Sequence, residues 1–248
     1  MLKYFKGEKM YRNIKNYKLR YTDVDFQDYL KLSALLSLME ESACDSADEL
    51  GFGYSALQPK NIGFVILNWH VELFRAIKLG EVLTVHTWPV KPKRLAVFRD
   101  FELYVGEEKV GVATSRWCVI NLEDFKILDP SCAFSEDLTY NETRSVEKAN
   151  WKVPFVTSSE SVYSKIITYS DYDHYNHVNN TKYADFLLDV FSPDELKGRY
   201  ISSVDVNYQT QCKYGETLDI YREDLSDCTI IEGRVNGVNR VQMRIVLK

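Results

Sequence analysis

The stretch Asp171-Tyr172-Asp173-His174-Tyr175-Asn176-His177-Val178-Asn179-Asn180 gathers two carboxylates, two imidazoles and three carboxamides. It follows a β-rich segment, residues 161–169, and precedes an amphipathic run, residues 183–191, so these groups collect at a strand-to-helix turn. The first N–H groups of a helix have no partner inside it and carry its positive dipole end. Such a turn can hold an anion or a developing oxyanion. His177 supplies the other requirement of hydrolytic chemistry, because an unperturbed imidazole, with a pKa of about 6.5, exchanges protons near neutrality. His174 has the same chemistry but sits earlier in the turn, where solvent exposure accounts for it equally well. Asn176 and Asn179 are also common turn and cap residues, so a purely structural reading of each is as strong as a chemical one.

The elements that position this turn occur twice. Tyr21-Thr22-Asp23-Val24-Asp25 matches Tyr169-Ser170-Asp171-Tyr172-Asp173, displaced by 148 residues, and each copy leads from a strand pattern into a helix pattern. Under the same displacement Asp28 corresponds to Asn176, both expected as N-caps, while Leu35 corresponds to Tyr183 and Leu38 to Phe186. A second pair, Lys78-Leu79-Gly80-Glu81-Val82-Leu83 and Lys213-Tyr214-Gly215-Glu216-Thr217-Leu218, is displaced by 135. The first copy therefore carries 13 additional residues, which fit the Gly- and Pro-marked loop from Gly51 to Gly63.

Leu32, Leu35, Leu36, Met39, Ala43, Ala47 and Leu50 recur at three- and four-residue steps, which predicts a long helix with one buried stripe and Gly51 as its stop. Glu40 and Glu41 lie mostly off that stripe and read as a solvated face. Strands are expected over residues 64–75, 82–88, 95–105 and 110–121, with Pro89, Pro92 and Gly106 as breaks, and over 204–212, 217–222, 229–235 and 241–247. Each half is thus a strand, a long helix and several antiparallel strands. Wrapping a curved antiparallel sheet around one helix buries an apolar helix stripe against an apolar sheet face, which makes the chain an α+β protein. The halves are residues 1–128 and 161–248, and residues 129–160, rich in Ser, Glu, Asn and Pro, form a surface linker.

Composition removes several function classes. A chain of 248 residues, 45% hydrophobic and 13% aromatic, has ample material for a core. A net charge of −5 and the lack of any recognisable motif argue against nucleic-acid binding. Five scattered cysteines, without metal-ligand spacing, point to a reduced, cytoplasmic protein with no metal and no cofactor. Residues 1–20 alternate Lys and Arg with aromatic and apolar residues and show no secretory pattern, and no apolar run approaches the roughly 20 residues of a membrane span.

Leu50-Gly51-Phe52-Gly53, Trp69-His70-Val71-Glu72, Gly80-Glu81-Val82, Thr87-Trp88-Pro89, Ala113-Thr114-Ser115-Arg116-Trp117 and His177-Val178-Asn179-Asn180-Thr181-Lys182-Tyr183 together resemble the acyl-acyl carrier protein thioesterases, over about residues 11–247. The resemblance implies a double hotdog fold and hydrolysis of a fatty acyl thioester held on the phosphopantetheine arm of acyl carrier protein. It places an Asp four residues before the His, as Asp173 stands to His177. It also places an Asn two before the His, where this chain has Tyr175, and a Glu-Cys pair at a strand end, where this chain has Gln211-Cys212. On this reading neutral His177 takes the proton from water, Asp173 orients the ring, and Gln211 holds the water by donating and accepting. Amides around residues 178–180 stabilise the oxyanion, and Tyr175, Asn176 and Asn179 contact the substrate. Cys212 reads as a packed hydrophobe.

The first copy has Tyr29 where the second has His177, so one site is expected. The first copy instead supplies the wall for the acyl chain, with Leu35, Met39 and Trp69 as candidates that are equally ordinary core residues. Acyl carrier proteins are acidic, and Lys91, Lys93 and Arg94, with Arg75 and Lys78 near them, are the candidate docking cations. A monomer or a homodimer would serve. The alternatives are a hydroxyacyl-thioester dehydratase, pairing a His with Glu40 or Glu41, and a non-catalytic acyl-thioester binding protein.

Overall fold

The computed structural model describes residues 10–248. The first nine residues of the amino-terminal segment read above lie outside this range. In chain order the first copy contributes β1 (Asn13–Lys18), α1 (Leu32–Glu49), α2 (Tyr54–Leu57), β2 (Ile62–Leu73), β3 (Val82–Lys93), β4 (Ala96–Val105), β5 (Glu108–Asn121) and the short β6 (Ile127–Leu128). The second copy contributes β7 (Tyr163–Ile166), α3 (Lys182–Leu188), α4 (Pro193–Leu196), β8 (Ile201–Tyr208), β9 (Thr217–Asp224), β10 (Thr229–Val235) and β11 (Val238–Leu247).

All the strands belong to one sheet, in the order β1-β3-β4-β5-β2-β8-β11-β10-β9-β7 with β6 on β5. The order is a palindrome about the β2–β8 seam: each strand of the first copy except β6 has its counterpart at the mirrored place in the second. The sequence repeat is therefore a structural repeat, and the two copies join edge to edge by antiparallel pairing from Asn68↔Asn207 to Glu72↔Ser203. Joining the central edges protects strands that would otherwise offer unpaired main-chain groups. This is the double hotdog arrangement.

The α1 stripe is buried as its spacing requires. Leu32, Leu35, Leu36, Met39 and Ala43 enter the main core beside Trp69, Val71, Phe101 and Val206 of the sheet's inner face. Full burial of side chains this size stabilises by about 1.5–3 kcal/mol each. Past Met39 the covered face shifts onto Ser42 and Ser46, whose hydroxyls are hydrogen-bonded to Tyr17 Oη and to Arg99 Nη1. Ala47 and Leu50 turn instead to a smaller cluster with Phe52, Phe64 and Phe134.

Four expectations need correction. The second helix is short: α3 has 7 residues against 18 for α1, because Ser192 opens a new helix with its hydroxyl accepting from Glu195 N–H and Pro193 follows at the first position. Strand β3 runs through Pro89 and Pro92 rather than stopping at them. Its partner β1 pairs only as far as Thr87, so both prolines sit where that side of β3 has no ladder to break. Strand β8 ends at Tyr208, leaving Gln211 on a loop rather than in a strand.

Residues 129–160 are more than a surface linker. They cross the outer face of the sheet, with Arg144 Nε on Asp100 (2.8 Å), Asn207 Nδ2 donating to the Trp151 carbonyl (3.1 Å) and Val156 N–H donating to Glu232 (3.0 Å). Val146, Val153 and Val156 are buried there. The strap satisfies polar side chains that would otherwise be stranded on the covered face.

Candidate active site

The turn that carries His177 is built by its aspartates. Asp171 Oδ2 accepts from Thr168 N–H (2.7 Å) and pairs with Lys165 Nζ (2.9 Å), closing a single 3-10 turn. Asp173 Oδ1 accepts from the main-chain N–H groups of Tyr175 (2.9 Å) and His177 (3.2 Å), while Asp173 N–H donates to the His177 carbonyl (2.8 Å). No hydrogen bond joins the Asp173 carboxylate to the His177 ring. Asp173 therefore shapes the loop instead of orienting the imidazole, which corrects the role read from sequence.

Asn176 has φ +61° and Asp28, its counterpart, the same value. Both occupy the left-handed region that Asn and Asp tolerate best among residues with a Cβ, so neither is a helix cap. The cap is Asn179. Its Oδ1 accepts from Thr181 N–H (2.9 Å) and Thr181 Oγ1 (2.8 Å), its carbonyl accepts from Lys182 N–H (3.0 Å), and its own N–H goes to the Asp171 carbonyl (2.8 Å). Of the three N–H groups expected to face an oxyanion, that of Asn179 is thus spent. Those of Val178 and Asn180 meet no acceptor among the described residues.

His177 is half-buried, with its ring centroid 6.5 Å from that of Phe125, in the turn between β5 and β6 of the first copy. Its ring nitrogens hydrogen-bond to no other described residue. Tyr175 is 46% exposed and lies beside Tyr54 of α2 at 5.8 Å and His174 at 3.8 Å, and burial above all pushes its hydroxyl up to about 12. The turn of the second copy thus packs against α1, α2 and the β5–β6 turn of the first at the junction between the copies.

The loop after β8 is drawn to the same place. Tyr208 Oη donates to the Asn180 carbonyl (3.0 Å), and Cys212 N–H donates to Tyr183 Oη (2.8 Å). These bonds bracket Gln211, whose side chain is exposed. Cys212 is buried, and that burial raises its thiol, the opposite of what a nucleophile needs. Leu35, Met39 and Trp69 are fully buried in the core, Trp69 against Phe101 and Trp117.

One residue at this junction was misread from sequence. Glu40 is half-buried and both its oxygens take the Asn180 side-chain amide, at 3.1 and 3.0 Å. Burial raises its carboxyl, the charges of Asp173 and Glu41 add to that, and the Asn180 hydrogen bond opposes it. The available signal was the four-residue row Leu32, Leu36, Glu40, which places the carboxylate at the edge of the apolar stripe. Among the described residues no group of three or more His, Cys, Asp or Glu side chains is arranged to hold a metal ion.

The comparisons agree with this geometry copy by copy. The model of the acyl-ACP thioesterase N-terminal domain matches residues 9–130, and that of the acyl-ACP thioesterase C-terminal domain matches residues 157–244. The chain belongs to the acyl-ACP thioesterase family. Among its relatives are an oleoyl-acyl carrier protein thioesterase of Arabidopsis thaliana, 23% identical over 83% of this chain and 61% of that one, and a palmitoyl-acyl carrier protein thioesterase of Gossypium hirsutum, 23% identical over 79% and 51%. The chain therefore spans roughly half to three-fifths of the length of these plant family members. A solved acyl-ACP thioesterase from Bacteroides thetaiotaomicron superposes with a TM-score of 0.88 at 24% identity, covering 96% of this chain and 98% of that one. A 12:0-ACP thioesterase from Umbellularia californica superposes at 0.82 with 17% identity, covering 96% and 97%. The family's fold is thus that of this chain over nearly its whole length.

Proposed function

We propose that this chain hydrolyses fatty acyl thioesters carried on acyl carrier protein, releasing a free fatty acid and so ending acyl chain elongation. The observation that carries the reading is the asymmetry of the repeat within a family whose models match both copies. The two turns share their aspartates and hydrogen bonds, and only the second adds imidazoles, His174 and His177, which lie beside Tyr54 and Phe125 of the first copy.

Thioester hydrolysis needs a water oxygen delivered to the carbonyl carbon, stabilisation of the charge on the carbonyl oxygen, and two proton movements: one off the water and one onto the departing thiolate. His174 and His177 are the side chains on the turn able to take part in proton transfer near neutrality, and His177 is the one to which the family resemblance points. Asp173 holds its main chain in place. The N–H groups of Val178 and Asn180 are the donors left for the oxyanion, and a donor of this kind is worth about 2.7–4 kcal/mol in the transition state. Gln211 is the amide that would hold the water, and Leu35, Met39 and Trp69 line the apolar interior on the first copy's side.

The carrier is acidic, and the β3–β4 hairpin offers Lys91, Lys93 and Arg94 exposed and without an ion-pair partner among the described residues. Arg75, in contrast, is engaged by Glu81 and Glu108, so the hairpin is the better docking cation cluster. No described helix is long and apolar enough to cross a membrane.

The test is thiol release from acyl carrier protein loaded with chains from short to long, by the wild type and by His177→Ala. The wild type is expected to turn over long acyl chains and the variant to fall by about 10²–10⁴-fold while unfolding at the same temperature. A folded variant with wild-type turnover would remove His177 from the chemistry.

A further inference from the structure

Six carboxylates of the described chain are buried, and each has a cationic partner. Asp23 is held by Arg20, Asp100 by Arg144, Glu102 by Arg12 and Lys109, Asp171 by Lys165, Asp205 by His70 and Arg244, and Glu232 by Arg234. Among the described residues Glu40 is set less deeply than these and has no cationic partner, a feature it shares with the half-buried Asp25, Asp173, Asp185, Asp219 and Glu223. It is half-buried between α1 of the first copy and the start of α3 in the second, it has no ion-pair partner among the described residues, and a single neutral amide holds it. Placing a carboxylate there costs stability that no cation returns. Perturbed carboxyls of this kind cluster at functional sites.

The junction also lacks a carboxylate where the family resemblance would put one. Gln211 is a neutral carboxamide, able to hold a water but not to accept its proton. Asp173 is committed to two main-chain N–H groups. Glu40 reaches the junction from the opposite copy, and the amide that holds it belongs to Asn180, whose carbonyl is bonded by Tyr208 of the strand leading to Gln211.

We propose that Glu40 accepts the proton of the attacking water and that protonated His177 returns a proton to the leaving thiolate. The assignment rests on the thioesterase reading and divides its two proton transfers between the copies. As the water oxygen bonds to the acyl carbon, one water proton passes to the Glu40 carboxylate and the carbonyl π pair moves onto oxygen. Collapse of that adduct breaks the carbon–sulfur bond, and the sulfur takes the proton of His177. Solvent removes the proton from Glu40 and restores the one on His177, so the net change is thioester plus water to carboxylic acid plus thiol.

The surroundings suit a base. Asp173 and Tyr175 face Glu40 from the turn, Tyr208 from β8, and Glu41 and Cys44 from its own helix, all acidic or neutral. Burial, with Asp173 and Glu41 behind it, raises the carboxyl above its ordinary value, which makes the carboxylate a stronger proton acceptor.

The experiment compares Glu40→Gln and Glu40→Asp in the full chain by kcat, KM, pH profile and thermal midpoint. Glutamine keeps an oxygen for the Asn180 amide and removes the proton acceptor; aspartate keeps the acceptor and shortens its reach. A proton acceptor predicts kcat falling by about 10²–10³-fold in Glu40→Gln, with KM within about threefold, the midpoint unchanged, the acid limb of the profile lost, and aspartate the more active of the two. A merely structural contact predicts the reverse order. Glu40→Gln with wild-type kcat and an intact acid limb overturns the proposal while leaving the thioesterase reading standing, whereas a wild type that releases no thiol overturns both.

Discussion

Asp25 and Asp173 stand 148 residues apart and make the same pair of hydrogen bonds. Asp25 Oδ1 accepts from Gln27 N–H (2.8 Å) and Tyr29 N–H (3.0 Å), and Asp173 Oδ1 accepts from Tyr175 N–H and His177 N–H. The first pair stands beside a tyrosine and the second beside an imidazole, so the bonds belong to the turn and not to the chemistry. The repeat thus separates scaffold from site: what both copies keep is architecture, and what one copy adds is a candidate for function.

It follows that Asp173→Asn retains most of the turnover, because an amide oxygen accepts the same two N–H groups, whereas Asp173→Ala loses both bonds. Hydrogen bonds to a charged acceptor contribute about 1.5–3 kcal/mol. Asp25→Ala and Asp173→Ala are expected to lower stability by similar amounts, of that order, in denaturant titration, and the second alone to reduce kcat. Were Asp173→Asn as inactive as His177→Ala, the carboxylate would have a charge-dependent role after all.

Cys212 offers a second check. Its thiol is buried and raised, and its main-chain N–H, not its sulfur, makes the contact with Tyr183. Cys212→Ala is expected to hold kcat within about threefold, since the thiol takes no part in proton or acyl transfer. Iodoacetamide should label Cys132, which is exposed, and leave Cys212 unmodified in the folded protein. Loss of turnover in a folded Cys212→Ala, with acyl-enzyme trapped in the wild type, would restore it as a nucleophile.

Local pattern carried most of the fold into the sequence. The Leu32, Leu35, Leu36, Met39 stripe specified α1, residues 229–235 specified β10 to the residue, and the Asp23/Asp171 match specified the duplication. What was not legible depends on partners distant in the chain. Pro89 breaks no strand because β1 has already ended on that side, a fact about pairing and not about proline. Asn176 looked like a cap because Asn favours caps and left-handed turns alike, and only the backbone decides between them. Glu40 looked solvated because the element that covers it, the start of α3, lies 140 residues away.

The seam between the copies makes the last prediction. His70 on β2 and Asp205 on β8 join the two copies through Nδ1 and Oδ1 at 2.5 Å, and His70 Nε2 lies 3.1 Å from Glu72. Burial opposes a charge on this ring, but the Asp205 and Glu72 carboxylates together outweigh it, so the pKa of His70 is raised. Arg244, 3.7 Å from the other Asp205 oxygen, remains charged throughout. A histidine raised on folding contributes stability that is complete below its unfolded value of about 6.5 and is lost as the pH climbs through its folded value. The urea midpoint of the wild type should therefore decline as pH is taken upward from 6, and that component of the decline should be missing in His70→Gln, which keeps a polar side chain without the titrating charge. Parallel declines in the two proteins would show that the bridge across the seam does not titrate with folding, and would leave the joining of the copies to their main-chain ladder and to uncharged bonds such as Asn68 Nδ2 to Asn207 Oδ1.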